Sequence, residues 1–340
     1  MDKIDFFNTA ISGEAFKKVG EVLSTTFLSE GKLVAAFEEA LFDRAGITKP
    51  VALNSGTAAL HLALVVAEIG IGDEVIIPSQ TFIATGLAVL MTGATPVFAD
   101  IQYETGNIDP LDVIKKITSN TKAILPVHWG GYPCDMDELS SIAKQHNLLI
   151  IEDAAHAIGA TYKNSHIGSI SDMTCFSFQA IKHLTTGDGG ALACKNDKHF
   201  EKAMALRWFG IDRKNAAIGL LGEREYDLGE VGYKYHLNDY AAALGIANIE
   251  ALSVNVKRRR EIAALYDDEL KNVKGIQLLN YTKDRQSAYW LYGFRVEKRV
   301  EFIRKLQSAG VPASVVHLGI QRNKVFTHES KYTCVLSNLF

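Results

Sequence analysis

The sequence predicts an α/β protein, a mainly parallel sheet flanked by helices on both faces, with a smaller α+β part at the C-terminal end. Three observations predict it. Short apolar runs alternate with helix-period stretches from Val51 to Lys195, as strands joined by crossover helices do. Residues capable of chemistry stand where two of these runs end, the place where open α/β sheets bind ligands. A length of 340 residues exceeds one small core and fits a large domain with a smaller one.

In order, Glu14–Leu23 reads as a helix, and a polar stretch ends in SEGK (Ser29–Lys32). The spacing Leu33, Ala36, Phe37, Ala40, Leu41 is helical. Val51–Leu53 is a strand, Asn54-Ser55-Gly56-Thr57 a turn, and Ala58–Ile69 a helix stopped by Gly70. Strands then follow at Glu74–Pro78, Thr95–Ile101, Ala123–His128 and Asn147–Glu152, with helices at Phe82–Met91, Pro110–Ile117 and Asp137–His146 between them. Met173–Phe178 and Ala191–Lys195 are strands, and Lys198–Trp208 is a helix. The polar, Gly-rich stretch 213–232 reads as a loop. Helices are expected over Leu237–Leu252 and Val256–Leu270, the second carrying Arg258–Arg260 on a solvated face or an interface. The pattern then turns to α+β, with a strand near Leu291–Glu297, a helix near Arg299–Gln307, and Ala313–His317. A large domain over 31–250 is expected, with 1–30 and 251–340 forming a small one.

Hydrophobic residues make up 47% and charged residues 22% of the chain, as in ordinary soluble proteins. A net charge of −3 gives no basic footprint for nucleic acid, so any phosphate must be bound locally. The four cysteines (Cys134, Cys175, Cys194, Cys334) form no CxxC pair, which argues against a zinc site or disulfide framework and for a reducing compartment. The N-terminal MDKIDFFNTA has no apolar leader region, and no run of about 18 apolar residues occurs. The expected location is the cytoplasm, away from membranes.

The chemistry gathers between Asn147 and Leu192. Asp153 closes one apolar run, and His156 stands three residues on; the next run leads through Ser177 to a lone Lys182 and the pliable TTGDGG. An acid, a histidine, a hydroxyl and a lysine at the ends of adjacent strands are the set needed by pyridoxal phosphate. That cofactor is held by a lysine and kept protonated at its ring nitrogen by an acid. Singly, each has a plainer reading: a solvated lysine, a turn-forming aspartate, a structural histidine. The turn Ser55-Gly56-Thr57 offers N–H groups, a hydroxyl and the positive end of a helix to a phosphate, although an ordinary Ser/Thr N-cap reads the same.

With these residues laid out, the chain resembles the pyridoxal-phosphate-dependent sugar aminotransferases of the DegT/StrS family, of the aspartate-aminotransferase (type I) fold. The resemblance is carried, in order, by SEGKLVAAFEEAL, LNSGTAALHLAL, PSQTFIAT, PVHWGGYPCDMDEL, IIEDAAHAIGA, SFQAIKHLTTGDGGAL, GYKYHLNDYAAALG and RRREIAALY. It implies that Lys182 is the Schiff-base lysine and proton shuttle, that Asp153 pairs with the pyridine nitrogen, and that His156 stands beside the ring oxygen. It further implies that Gly56, Thr57 and Ser177 bind the phosphate and that Phe82 stacks on the ring. The family acts as homodimers in which the GYKYHLN segment of the neighbouring subunit completes the phosphate site. Where the family pattern has Asn at the third or fifth position of that segment, this chain has Lys234 and His236.

The implied reaction moves an amino group from an amino acid, L-glutamate by analogy, to a keto-deoxy sugar attached to UDP, GDP or dTDP, in amino-sugar biosynthesis for a surface polysaccharide or a glycosylated product. His317 and Arg322 lie where relatives contact the sugar or its diphosphate; small-domain packing and a surface charge are their plainer readings. The resemblance also implies a further strand and helix past the position of Phe340, so the small domain is expected to be truncated or naturally short. Alternatives are a nucleotide-sugar dehydratase of the same fold, in which histidine replaces the lysine, and a non-catalytic regulatory relative. Lys182 followed by His183, and the absence of a cluster-type cysteine set, oppose the first; the complete set of Asp153, His156, Lys182 and Thr57 opposes the second. A nicotinamide dehydrogenase would need a GxGxxG turn after the first strand, which is absent.

Overall fold

The computed structural model describes residues 5–212 and 216–326. The first three residues of the loop expected over 213–232, Cys334 and the ends of the expected small domain (1–4 and 327–340) lie outside the described residues. Helices α1 (Gly13–Leu23) and α2 (Lys32–Ala45) precede the alternating part. It runs β1 (Pro50–Leu53), α3 (Gly56–Val66), β2 (Glu74–Pro78), α4 (Ile83–Met91), β3 (Thr95–Ala99), α5 (Pro110–Lys116), β4 (Thr121–Ile124), α6 (Met136–His146) and β5 (Leu149–Asp153). Two short strands follow, β6 (Thr161–Tyr162) and β7 (Ser165–His166), then β8 (Met173–Ser177), β9 (Gly190–Cys194) and α7 (Asp197–Leu206). The hairpin β10 (Ala217–Ile218) and β11 (Arg224–Glu225) lies within the expected loop. Next come α8 (Asp239–Ile249), α9 (Leu252–Leu270), β12 (Ile276–Leu278), β13 (Arg285–Gln286), β14 (Phe294–Val296) and α10 (Arg299–Ser308).

The central sheet has seven strands in the order β1-β9-β8-β5-β4-β2-β3. Only β9 runs antiparallel to its neighbours β1 and β8. The ends of β1, β5 and β8 and the start of β9 therefore share one edge. Successive residues of each strand feed two cores. Ala52, Ile76, Ile124, Ile150 and Phe176 pack with α2, α6 and α8 on one face. Val51, Leu53, Val75, Ile77, Ile151 and Met173 pack with α3, α4 and α7 on the other. Burial on both faces is why these strands read as continuous apolar runs.

All seven central strands were expected, and the differences lie at boundaries. The fourth closes at Ile124, because Pro126 has no N–H to give to a ladder. Ala313–His317 forms no strand, and the run near Leu291 contributes only β14. Residues 287–291 instead form an irregular strap. Ala288 N–H donates to the Gly131 carbonyl and Leu291 N–H to that of Gly130. Arg260 reaches the Ser287 carbonyl at 2.8 Å, and Arg259 those of Tyr289 and Trp290 at 3.3 and 3.1 Å. Two of the three consecutive arginines thus brace this strap, while Arg258 pairs with Glu261 at the surface. The N-terminal segment touches both parts of the chain: α1 packs along α8, and Phe7 stacks on Trp290.

Candidate active site

Lys182 stands in the connection from β8 to β9. Its N–H closes a turn on the Gln179 carbonyl, and the following TTGDGG folds back so that the Thr186 N–H and Thr185 hydroxyl both reach the Phe178 carbonyl. Its Nζ lies 3.9 Å from the centre of the Trp290 ring. Burial lowers the amine to about 8, with the Asp153 charge acting in the opposite sense.

Asp153 ends β5 and is buried. Oδ2 accepts from the Thr85 hydroxyl at 2.8 Å and Oδ1 from the Ala155 N–H at 3.1 Å. Thr85 sits in the first turn of α4 and is paired in turn with Thr81 at 2.7 Å. Burial pushes the Asp153 carboxyl up, while Thr85, Ala155 and the Lys182 charge hold it down. Next to it in sequence, Glu152 points to the opposite side, where His128 and Thr174 meet it at 2.6 and 2.9 Å. Because the Cys134 N–H donates to His128 Nδ1, it is Nε2–H that donates to Glu152.

His156 lies face to face with Trp290, with ring centres 3.9 Å apart and planes 9° from parallel. Burial and the Lys182 charge hold its imidazole well below the ordinary value, so it is neutral. Its Nδ1 is buried with no hydrogen-bond partner among the described residues. The ring of His317 approaches those of Phe82 and Trp129 at 5.5 and 5.6 Å, and burial lowers it to about 4. Phe82, just before α4, is 54% exposed and so presents a free aromatic surface to the edge of the site.

At the end of β1, Ser55 caps α3 by accepting from the Ala58 N–H at 3.0 Å. The N–H groups of Gly56 and Thr57, the first two residues of the helix, have no partner within it. A Cβ on Gly56 would sit 2.8 Å from Ser177 Cβ, and one on Gly190 would sit 2.5 Å from the Ser55 carbonyl oxygen. Glycine at both positions lets the turn lie directly on the edge of β8 and β9.

Asp153, His156, Lys182, His317 and Phe82 thus form one cluster, with Gly56 and Ser177 adjoining each other on the same sheet edge. Three expected residues stand apart. Lys234 lies over the Trp208 ring at 4.9 Å, and His236 meets that ring edge-on at 4.2 Å. The backbone of this segment approaches the turn through Asn54, whose N–H and Nδ2 donate to the carbonyls of Tyr235 and Lys234. Arg322 is exposed, on a short turn whose Ile320 is anchored on the Ser79 carbonyl. Sequence reasoning missed Thr85 and Trp290. Thr85 could have been found, since it lies within PSQTFIAT three residues after Phe82; Trp290 sits in an irregular segment that gives no periodic signal.

The sequence profile of the DegT/DnrJ/EryC1/StrS aminotransferase family matches residues 9–338. The chain belongs to this family. A GDP-perosamine synthase of Caulobacter vibrioides is 36% identical over 90% of this chain and 82% of its own. AtS13 from Actinomadura melliaura superposes with a TM-score of 0.93 at 38% identity, covering 99% of this chain and 91% of that one. The PLP form of Spr1654 from Streptococcus pneumoniae gives 0.87 at 31% identity, over 96% and 88%. This DegT-family chain is accordingly a pyridoxal-phosphate-dependent aminotransferase of the type I fold. Its residues fit the cofactor: a buried carboxylate, a half-buried amine, an unpartnered imidazole nitrogen and a glycine-lined turn at a helix start. Among the described residues no helix is long and apolar enough to cross a membrane, and no cluster of ligating side chains could hold a metal ion.

Proposed function

We propose that this aminotransferase moves an amino group from an amino acid, L-glutamate by resemblance, to a keto-deoxy sugar carried on a nucleotide, as a step in amino-sugar biosynthesis. The observation that carries the reading is Lys182. It is a half-buried amine lowered to about 8, beside a buried carboxylate at the end of a neighbouring strand. An amine tuned so close to neutrality takes up a proton when neutral and returns it when charged, which both halves of an amino transfer require. Pyridoxal phosphate, when bound, supplies the electron sink.

The chain's own groups divide the remaining work. Lys182 holds the cofactor and carries the proton through Nζ. Asp153, whose charged form Thr85 and Ala155 favour against the opposing effect of burial, would oppose a positive ring nitrogen, and His156 would offer Nδ1 to the ring oxygen. Gly56, Thr57 and Ser177 receive the phosphate, and Phe82 covers the ring. We assign His317 and Arg322 to the sugar-nucleotide side, and Lys234 and His236 to the phosphate of a partner subunit in a cytoplasmic homodimer. Residues 31–250 are proposed as the cofactor domain, with 1–30 and 251–340 as the small one.

Lys182→Ala is expected to fold normally and lose turnover. A variant that keeps near-native rates would end the assignment. Product analysis with nucleotide-linked keto sugars separates the reaction class. Stoichiometric use of the amino donor supports amino transfer, whereas product formed without donor identifies a dehydratase.

A further inference from the structure

We propose that Trp290 is a positioning residue for Lys182, holding the free ammonium on its ring face whenever the lysine is not joined to the cofactor. The proposal rests on the assignment of Lys182 above and adds a residue to it. The indole is placed for this from several directions. Its Nε1–H donates to the carbonyl of Ile181, the residue before the lysine, at 3.0 Å. His183, the residue after the lysine, donates from Nε2 to the Ala288 carbonyl at 2.9 Å. The chain on either side of Lys182 is therefore tied to the strap that carries Trp290. That strap is braced by Arg259 and Arg260 and pressed against Gly131, where a Cβ would lie 2.7 Å from the His156 carbonyl and 2.9 Å from the Tyr289 nitrogen. The ring is only 4% exposed, so it cannot swing aside without breaking these bonds.

The geometry gives the ring a definite effect. A cation over an indole face is favoured, and more so when water is excluded. The charged lysine is thus stabilised relative to the neutral one, against the desolvation that acts the other way. The other titratable or charged groups facing Lys182 are Asp153, which favours the ammonium, and His156, His183 and His317, which are neutral near neutral pH. Trp290 is hence an uncharged group that favours the ammonium, in contact with the free lysine in this structure.

The test reads the lysine directly, in the cofactor-free full-length chain. The rate of Lys182 acetylation by a small anhydride, followed by mass spectrometry across pH, reports the neutral amine. Trp290→Leu is expected to move the midpoint down by about one pH unit, and Trp290→Phe, which keeps a ring face, by much less. A midpoint unchanged in Trp290→Leu, or lowered equally in both variants, would overturn the proposal. Should Trp290→Leu not fold, the indole fluorescence of the wild-type chain serves instead. A pH-dependent step at the acetylation midpoint that vanishes in Lys182→Met supports the contact, and a step that persists there refutes it. Because neither measurement needs turnover, failure here is separate from failure of the aminotransferase reading.

Discussion

Removing the Thr85 hydroxyl tests how Asp153 is kept charged inside the protein. Thr85→Val is nearly isosteric, leaves the methyl packing of a fully buried residue in place, and deletes the 2.8 Å bond to Oδ2. A hydrogen bond to a charged group contributes about 1.5–3 kcal/mol, equivalent to moving the carboxyl's titration up by about one to two pH units. Thr81 also loses its partner, a cost of about 1 kcal/mol that does not depend on pH. The sign of the pH dependence follows from burial. Asp153 already titrates above its ordinary 3.8 in the folded chain. Its contribution to stability is complete below that value and is lost as pH rises through the raised one. The variant extends this loss upward, so its deficit grows with pH before levelling. Urea unfolding of the cofactor-free protein, from about pH 5 to pH 9, should show a deficit approaching about 2.5–4 kcal/mol at the upper end. In an Asp153→Asn background the same substitution should cost only about 1–2 kcal/mol. A deficit that neither varies with pH nor shrinks in that background refutes the reasoning.

Other substitutions probe separate parts of the site. Gly56→Ala places a methyl 2.8 Å from Ser177 Cβ, so the turn must lift from the sheet; cofactor affinity, read by equilibrium dialysis, should fall about tenfold or more, corresponding to at least one lost phosphate hydrogen bond. Capture of added pyridoxal phosphate by the wild-type amine should accelerate as pH rises through about 8 and then level, because only neutral Lys182 attacks; a rate independent of pH from 6 to 10, approximately, would contradict this. Asp153→Asn should still bind the cofactor but transfer amine much more slowly, as single-turnover kinetics with the donor would show. His128→Phe leaves the buried Glu152 without its Nε2–H donor and should cost about 1.5–3 kcal/mol in urea unfolding, with much of the loss recovered in His128→Phe/Glu152→Met.

The readable parts of this molecule are those where chemistry and periodicity are local. Each central strand is a short apolar run, because both of its faces are buried, and helix starts such as Ser55 announce themselves by a hydroxyl at the cap. Asp153 and Lys182 stood out as candidates because they follow the ends of such runs. The support around them did not. Thr85 meets Asp153 across 68 positions of sequence, and the bond from Trp290 to Ile181 spans 109. Arg259 and Arg260 read as a solvated face or an interface because nothing in their own helix reveals the carbonyls they hold. A tertiary partner that satisfies backbone groups of an irregular segment leaves no period in either stretch.

That strap has a consequence for the order in which the protein is made. Synthesis delivers Lys182 with the central sheet, but the segment that fixes its neighbours on both sides arrives more than a hundred residues later. A nascent chain halted before Ser287 would hold every strand of the central sheet and the lysine in its turn, yet the ring beside its amine and the bonds to Ile181 and His183 would be missing. Competence for the cofactor should therefore appear late and abruptly during translation, when the strap docks, and not gradually as the sheet grows.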